Sequence, residues 1–239
     1  MNLVAIGAHQ DDIEVSCLGT LLLHREQRHA SITHVTITNG ELGGQATPAV
    51  PREAIAATRA REAQAVADAI GARYVCLGLP DMYLRDTDGA RDLLVDVLRE
   101  ARADVVLAPP PSDYHLDHTT ASRLAFHATL AAAVRSLVTD RPPLDRAPAL
   151  FYTDAVAGLD WEPSVFVDIT SVFERKLELI ALHASQMDAT RAVGGWDLVR
   201  YAEIGNAFRG LQSGVPYAEA FAPALAWPRV RARSIAALA

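Results

Sequence analysis

Two short segments of the chain hold residue types that do chemistry. One is Ala8-His9-Gln10-Asp11-Asp12-Ile13-Glu14 and the other is Asp113-Tyr114-His115-Leu116-Asp117-His118. His9 and Asp12 stand three apart at a helix entrance, so both side chains can converge on one point. His118, arriving from a neighbouring loop, completes a set of two imidazoles and one carboxylate. Such a set leaves coordination positions open, which marks a catalytic metal and not a structural one. Zinc suits the nitrogen-rich donors best, while iron, manganese and cobalt remain compatible. Asp11 is left over, where it could take a proton from a metal-bound water. His115 is also left over, and Asp117 could hold its ring through the second nitrogen. Either segment alone also reads as a helix cap with acidic first-turn residues. Two such clusters in one chain, both at strand ends, favour the metal site.

The elements that must position these residues follow from the pattern. Residues 3–8 form a continuous apolar run, as in a strand buried on both faces of a parallel sheet. A helical pattern follows over residues 14–28, and a β-branched strand over 32–38. A glycine-rich loop (39–44) leads to a helix over 52–70, which Gly71 ends. Strands at 73–77 and 104–108 alternate with helices at 89–101 and 119–138. This order implies an α/β fold, Rossmann-like, with a mostly parallel sheet and helices on both faces. Ligands of such sheets collect at the carboxyl ends of the strands, where both motifs fall. A Pro-, Asp- and Arg-rich stretch (140–148) separates residues 1–145, the catalytic portion, from a smaller α/β portion, 146–239, that completes the pocket. One continuous domain is the alternative. The C-terminal portion carries strands at 149–154 and 164–169, then helices at 171–185 and 198–209. The last thirty residues look irregular.

Composition narrows the function classes. The chain has 239 residues, half of them apolar, with 22 Lys and Arg against 29 Asp and Glu. A net charge of −7 argues against nucleic acid as a partner, because phosphate neutralisation needs a basic face. Cys17 and Cys76 have no CxxC spacing and read as buried hydrophobes. No targeting signal and no membrane span are expected, so a cytoplasmic protein acting on a small molecule is the default. No GxGxxG or P-loop indicates a nucleotide cofactor.

The motifs and their order resemble those of the PIG-L/LmbE-like deacetylases. His9-x-Asp11-Asp12-x-Glu14 with Gly19-Thr20 is similar to that family's AHPDD-x-E and GGT signature. Asp113 to His118 is similar to its HPDH motif. Thr36 to Gly43, Arg59-Ala60-Arg61-Glu62 and Leu77 to Asp81 resemble its T-x-GE-x-G, R-x-x-E and LG-x-PD elements. His183-Ala184-Ser185-Gln186 and Tyr217 to Phe221 resemble its H-x-SQ and YAE-x-F elements. The resemblance implies a zinc-dependent hydrolase that removes acetyl groups from N-acetylated amino sugars such as N-acetylglucosamine or its glycosides. An amidase for another N-acyl substrate, a thiol conjugate or an antibiotic precursor, is the alternative. By the same resemblance His9, Asp12 and His118 bind the metal, zinc or in the cell iron. Asp11 is the general base, and protonated His115 stabilises the oxyanion or acts as acid with Asp117 behind it. Arg59 contacts substrate. Gln10 and Leu116 replace the family's usual prolines at positions that supply no ligand.

Weaker candidates complete the reading. Tyr114 beside His115 and Glu41 in the glycine-rich loop are candidates for lining the pocket. His183 is a candidate contribution from the C-terminal portion. Glu14 reads as a first-turn cap or a supporting carboxylate. His24, His29, His34 and His127 read as structural or surface residues. Arg229, Arg231 and Arg233 read as a solvated face. A homo-oligomer is compatible with the composition.

Overall fold

The computed structural model describes residues 1–28, 31–43, 50–155, 158, 160–195 and 197–229. In chain order the elements are β1 (Asn2–Gly7), α1 (Asp12–Arg28), β2 (Ser31–Thr38), α2 (Arg52–Ala69), β3 (Arg73–Leu79), α3 (Asp88–Glu100), β4 (Val105–Ala108) and α4 (Leu116–Ala131). Then come β5 (Ala149–Thr153), β6 (Val165–Asp168), α5 (Phe173–Ile180), α6 (Ala184–Gly194), α7 (Leu198–Ser213) and β7 (Ala218–Pro223). The strands form one sheet in the order β3-β2-β1-β4-β5-β7-β6. The first five are parallel, and β7 runs antiparallel between β5 and β6. The fold is therefore α/β with a mostly parallel sheet, and the sheet runs through both portions of the chain.

Period-two alternation along β1 supplies both cores. Val4 and Ile6 join Leu94, Leu98, Leu124 and Ala128 of α3 and α4 on one face. Leu3 and Ala5 join Ile13, Leu18 and Leu21 of α1 and Phe173 and Leu179 of α5 on the other. Strand order reverses between β1 and β4, the place where an open parallel sheet leaves a crevice at its carboxyl edge. His9 follows β1 there, and Asp113 to His118 follow β4.

The structure departs from the expectations at several points, and the helix expected over 119–138 spans Leu116–Ala131. The helix expected over 171–185 is broken: α5 ends at Ile180, and α6 starts afresh at Ala184 with His183 as its N-cap residue. The C-terminal region expected to be irregular contains β7, whose Ala-, Glu- and Pro-containing sequence has little strand propensity and is held by its two neighbours. Cys76 is exposed because β3 is an edge strand. Arg229 is buried, with its guanidinium 4.0 Å above the Phe126 ring and Nε donating to Thr129 at 2.7 Å. Arg231, Arg233 and Gly44 lie outside the described residues.

Candidate metal centre

Donor atoms of three side chains meet at the crevice. His9 Nδ1 lies 3.3 Å from His118 Nε2 and 3.6 Å from Asp12 Oδ2, and His118 Nε2 lies 3.4 Å from Asp12 Oδ1. Ligands placed tetrahedrally at about 2.0–2.1 Å from zinc stand roughly 3.4 Å apart, so this donor set fits the ion. The outer nitrogens of both rings face carboxylates. His9 Nε2 is 3.2 Å from Asp81 and 3.5 Å from Asp117, and His118 Nδ1 is 3.1 Å from Asp113. Such partners fix ring orientation and leave the inner nitrogen for a ligand bond. A second set of donors, from His9, His115 and Asp117, also lies close enough to hold an ion.

Local folding explains the convergence. Asp12 opens α1 and its Oδ2 accepts the His9 backbone N–H at 2.8 Å, closing the turn after β1. A Cβ on Gly7 would stand 2.9 Å from the Asp12 Cβ, so only glycine lets the strand run this close to the ligand. The carboxylates also charge the rings. Burial opposes protonation of His118, but Asp12 and Asp113 outweigh it and push the ring up to about 10. His9 is likewise raised well above the imidazole range, with Asp117 and Asp12 overcoming burial.

Asp11 stands apart from this donor set. Its Oδ1 accepts from Arg59 Nη2 at 3.0 Å, and Arg59 Nη1 donates to the Gly40 carbonyl at 3.2 Å. Arg59 needs two glycines to lie there. A Cβ on Gly43 would fall 1.9 Å from Nη1, and one on Gly40 would fall 2.8 Å from it. His115 caps α4, its Nδ1 accepting the Asp117 backbone N–H at 3.2 Å. The neutral ring therefore carries its proton on Nε2. Burial, then the charges of His9 and His118, lower the His115 pKa, which favours the neutral ring over the expected imidazolium.

The Asp117 carboxylate does not hold the His115 ring. It accepts the backbone N–H groups of Met82 at 2.7 Å and Leu84 at 3.3 Å, and approaches His9. That grip holds Met82 in the left-handed region, at φ 63°. These carboxylate partners lie 35 and 33 residues away in the chain, beyond what the motif spacing displays.

A cavity of about 240 Å³ opens over these groups, lined by His9, Asp11, Asp12, Arg59, His115 and His118 together with Tyr114 at its rim. Glu41 is not in its wall; Leu42 and Gly43 of the same loop are. His183 is fully buried behind the wall, 3.1 Å from Glu14. Other lining residues were not singled out in the sequence: Asp81, Met82, Gln186, Thr190, Leu198 and Tyr201. Asp81 and Gln186 fall inside recognised motifs, which was the available signal. Tyr201 carried none. No described helix is long and apolar enough to cross a membrane.

Known proteins resemble the chain along most of its length. The family model described as PIG-L, GlcNAc-PI de-N-acetylase, matches residues 4–129. A 4-oxalmesaconate hydratase of Pseudomonas putida is 28% identical over 193 residues, covering 77% of this chain and 73% of its own. A diacetylchitobiose deacetylase of Thermococcus kodakarensis is 27% identical over 233 residues, covering 90% and 80%. Among solved structures, the 4-carboxy-2-hydroxymuconate hydratase of Pseudomonas putida aligns with TM-score 0.83 at 25% identity, covering 98% of this chain and all of its own.

Proposed function

We propose that this chain, which belongs to the PIG-L family, is a metal-dependent hydrolase of the N-acetyl amide of an amino sugar or its glycoside, releasing acetate and a free amine. The observation that carries the reading is Asp11. It is a carboxylate beside, but outside, the donor set of His9, Asp12 and His118, and it opens into the same cavity. In this reading those three residues hold zinc, with iron as the alternative occupant in the cell. When bound, the ion would acidify a water and polarise the amide carbonyl.

The chain's own groups do the rest. Asp11 accepts the proton of the attacking water, and Arg59 keeps the carboxylate aimed at the cavity. The His115 Nε2–H donates to the amide oxygen as negative charge builds there, a role that the neutral ring fills. The amine departs only with a proton, which Asp11, protonated by the attacking water, returns. Asp81, Asp113 and Asp117 hold the imidazoles of His9 and His118. Tyr114, at the rim, contacts the group attached to the amine.

The hydratase relatives favour a second reading, addition of water to an unsaturated carboxylate, with Asp11 in the same role. The cavity lining weighs against it. Among the described residues the only guanidinium beside the donor set is Arg59, which is already committed to Asp11, and Arg200 stands in the neighbouring pocket, outside this lining. An N-acyl amine other than a sugar, a thiol conjugate or antibiotic precursor, would use the same machinery. Elemental analysis combined with acetate release from a panel of N-acetylglucosaminides tests the proposal. One metal per chain and chelator-sensitive acetate release are expected. Bound metal without acetate release from any N-acetyl substrate would overturn it.

A further inference from the structure

Tyr201 of α7 lines the catalytic cavity and also a second pocket of about 540 Å³ on its other side. Sites for small ligands run from about 300 to 1,000 Å³, so the catalytic cavity alone is small and the adjoining pocket is of ligand size. Its walls combine large apolar side chains with a few polar groups. Ile204 is 57% and Phe208 51% exposed, an unusual arrangement for two large side chains on one helix face, and Trp161 stands opposite in the segment between β5 and β6.

The polar groups of this pocket are unbalanced. Both Asp154 oxygens are consumed by Arg209, Oδ2 accepting from Nε at 2.6 Å and Oδ1 from Nη2 at 2.8 Å. The Gln212 oxygen accepts from Arg209 Nη1 at 2.8 Å. What remains is donors. Among the described residues the Trp161 indole N–H has no acceptor. Arg200 is exposed, and in the described contacts its guanidinium bonds only Glu203. A hydroxyl-rich ligand needs acceptors as well as donors, whereas a flat ring with an acceptor edge needs what is left.

We infer that this pocket, which shares Tyr201 with the catalytic cavity as a common wall, binds a planar group carrying a carboxylate or similar acceptor. Resting on the hydrolase reading above, the group is the part of the substrate beyond the amine. Its ring lies against Phe208 and Trp161 and its acceptor edge faces Arg200.

A binding experiment separates the pocket from the chemistry. Isotope-labelled, metal-loaded full chain is titrated with para-hydroxybenzoate, a flat carboxylate with no amide, and the indole N–H resonance lost in Trp161→Phe is followed. A saturable shift is expected. Phe208→Ala and Arg200→Gln should each weaken it by about fivefold, the scale of one aromatic or charge-assisted contact. No shift, or a shift that saturates as tightly in both variants as in the unaltered chain, overturns the inference. Turnover gives the second arm. The kcat/KM of para-carboxyphenyl N-acetyl-β-glucosaminide should exceed that of N-acetylglucosamine by about tenfold, since remote binding energy serves the reacting centre. Phe208→Ala should remove most of that ratio. A ratio unchanged in Phe208→Ala overturns the inference and leaves the deacetylase standing. An intact resonance shift without hydrolysis of either sugar leaves the pocket standing and removes the deacetylase.

Discussion

Asp11 and Asp12 are neighbours in the chain and meet different partners. Asp12 faces both imidazoles and Asp11 faces Arg59. Asp11→Asn should therefore keep its metal and lose about 10²- to 10⁴-fold in acetate release, the range for a positioned general base. Retained turnover with metal bound would remove Asp11 from the mechanism. The imidazoles make a separate prediction about pH. In the metal-free protein Asp12 and Asp113 push His118 up to about 10, and Asp117 and Asp12 raise His9, so these carboxylates favour protons on the imidazole pair. A metal must displace them. Acid favours the imidazolium forms, so affinity falls as pH falls, and for His118 this competition operates throughout the range below about 10. Zinc titration in buffers of differing ionisation enthalpy should show net proton release on metal binding at neutral pH. Binding with no proton release would contradict the charged rings.

At the scale of elements, the motifs were legible because short strands deliver them to one edge, and β-α alternation is visible as pattern. What each motif does was less legible, because the partners are distant. Arg59 and Glu62 share one helix and part company: Arg59 turns to Asp11, while Glu62 accepts the Ser185 N–H at 2.9 Å and its hydroxyl at 2.6 Å, fastening the start of α6. Gln186 then donates to the Gly43 carbonyl at 2.8 Å. Thus the loop of Gly40 and Gly43, α2 and α6 form one support for Asp11. Helical spacing could not reveal that His183 would interrupt a helix and sit against Glu14. Nor could the composition of 218–223 reveal a strand held mainly by its neighbours. Gly43→Ala tests the support. Its Cβ would collide with Arg59, so activity should fall by at least about tenfold, the cost of displacing a positioned group. The fall should appear in kcat with metal content unchanged. Gly19→Ala tests packing in α1, where a Cβ would lie 2.8 Å from Ile169. Overpacking there should cost about 1–3 kcal/mol, read as a lowered urea midpoint.

For the molecule as a whole, the question is what keeps the C-terminal strands and helices on the parallel sheet that carries both motifs. Lys176 of α5 is fully buried and its ammonium makes three bonds of 2.8 Å, to the Val15 carbonyl, the Asn206 side chain and the Glu219 carboxylate. Glu219 in turn accepts the backbone N–H groups of Gly19 at 2.8 Å and Thr20 at 2.7 Å. One charge pair thereby joins α1, α5, α7 and β7, and α1 is the helix that begins with Asp12. A buried pair of this kind adds little net stability over an apolar substitute, but removing one partner strands the other charge at a cost of about 3–5 kcal/mol. Lys176→Met should fall near the lower bound, because Glu219 keeps its two backbone donors. At roughly 2–4 °C per kcal/mol for a chain of this size, a loss of about 10 °C in Tm is expected. Lys176→Met with Glu219→Gln should regain part of it, since the amide oxygen still accepts from α1 and no charge is left unpaired. Zinc affinity should weaken in Lys176→Met and recover alongside Tm in the double variant, because the same helix is being released and re-anchored. A double variant less stable than Lys176→Met would show that Glu219 holds α1 without needing its ammonium partner. Unchanged zinc affinity across the series would show that the N-terminal turn of α1 is set by the His9–Asp12 contact alone.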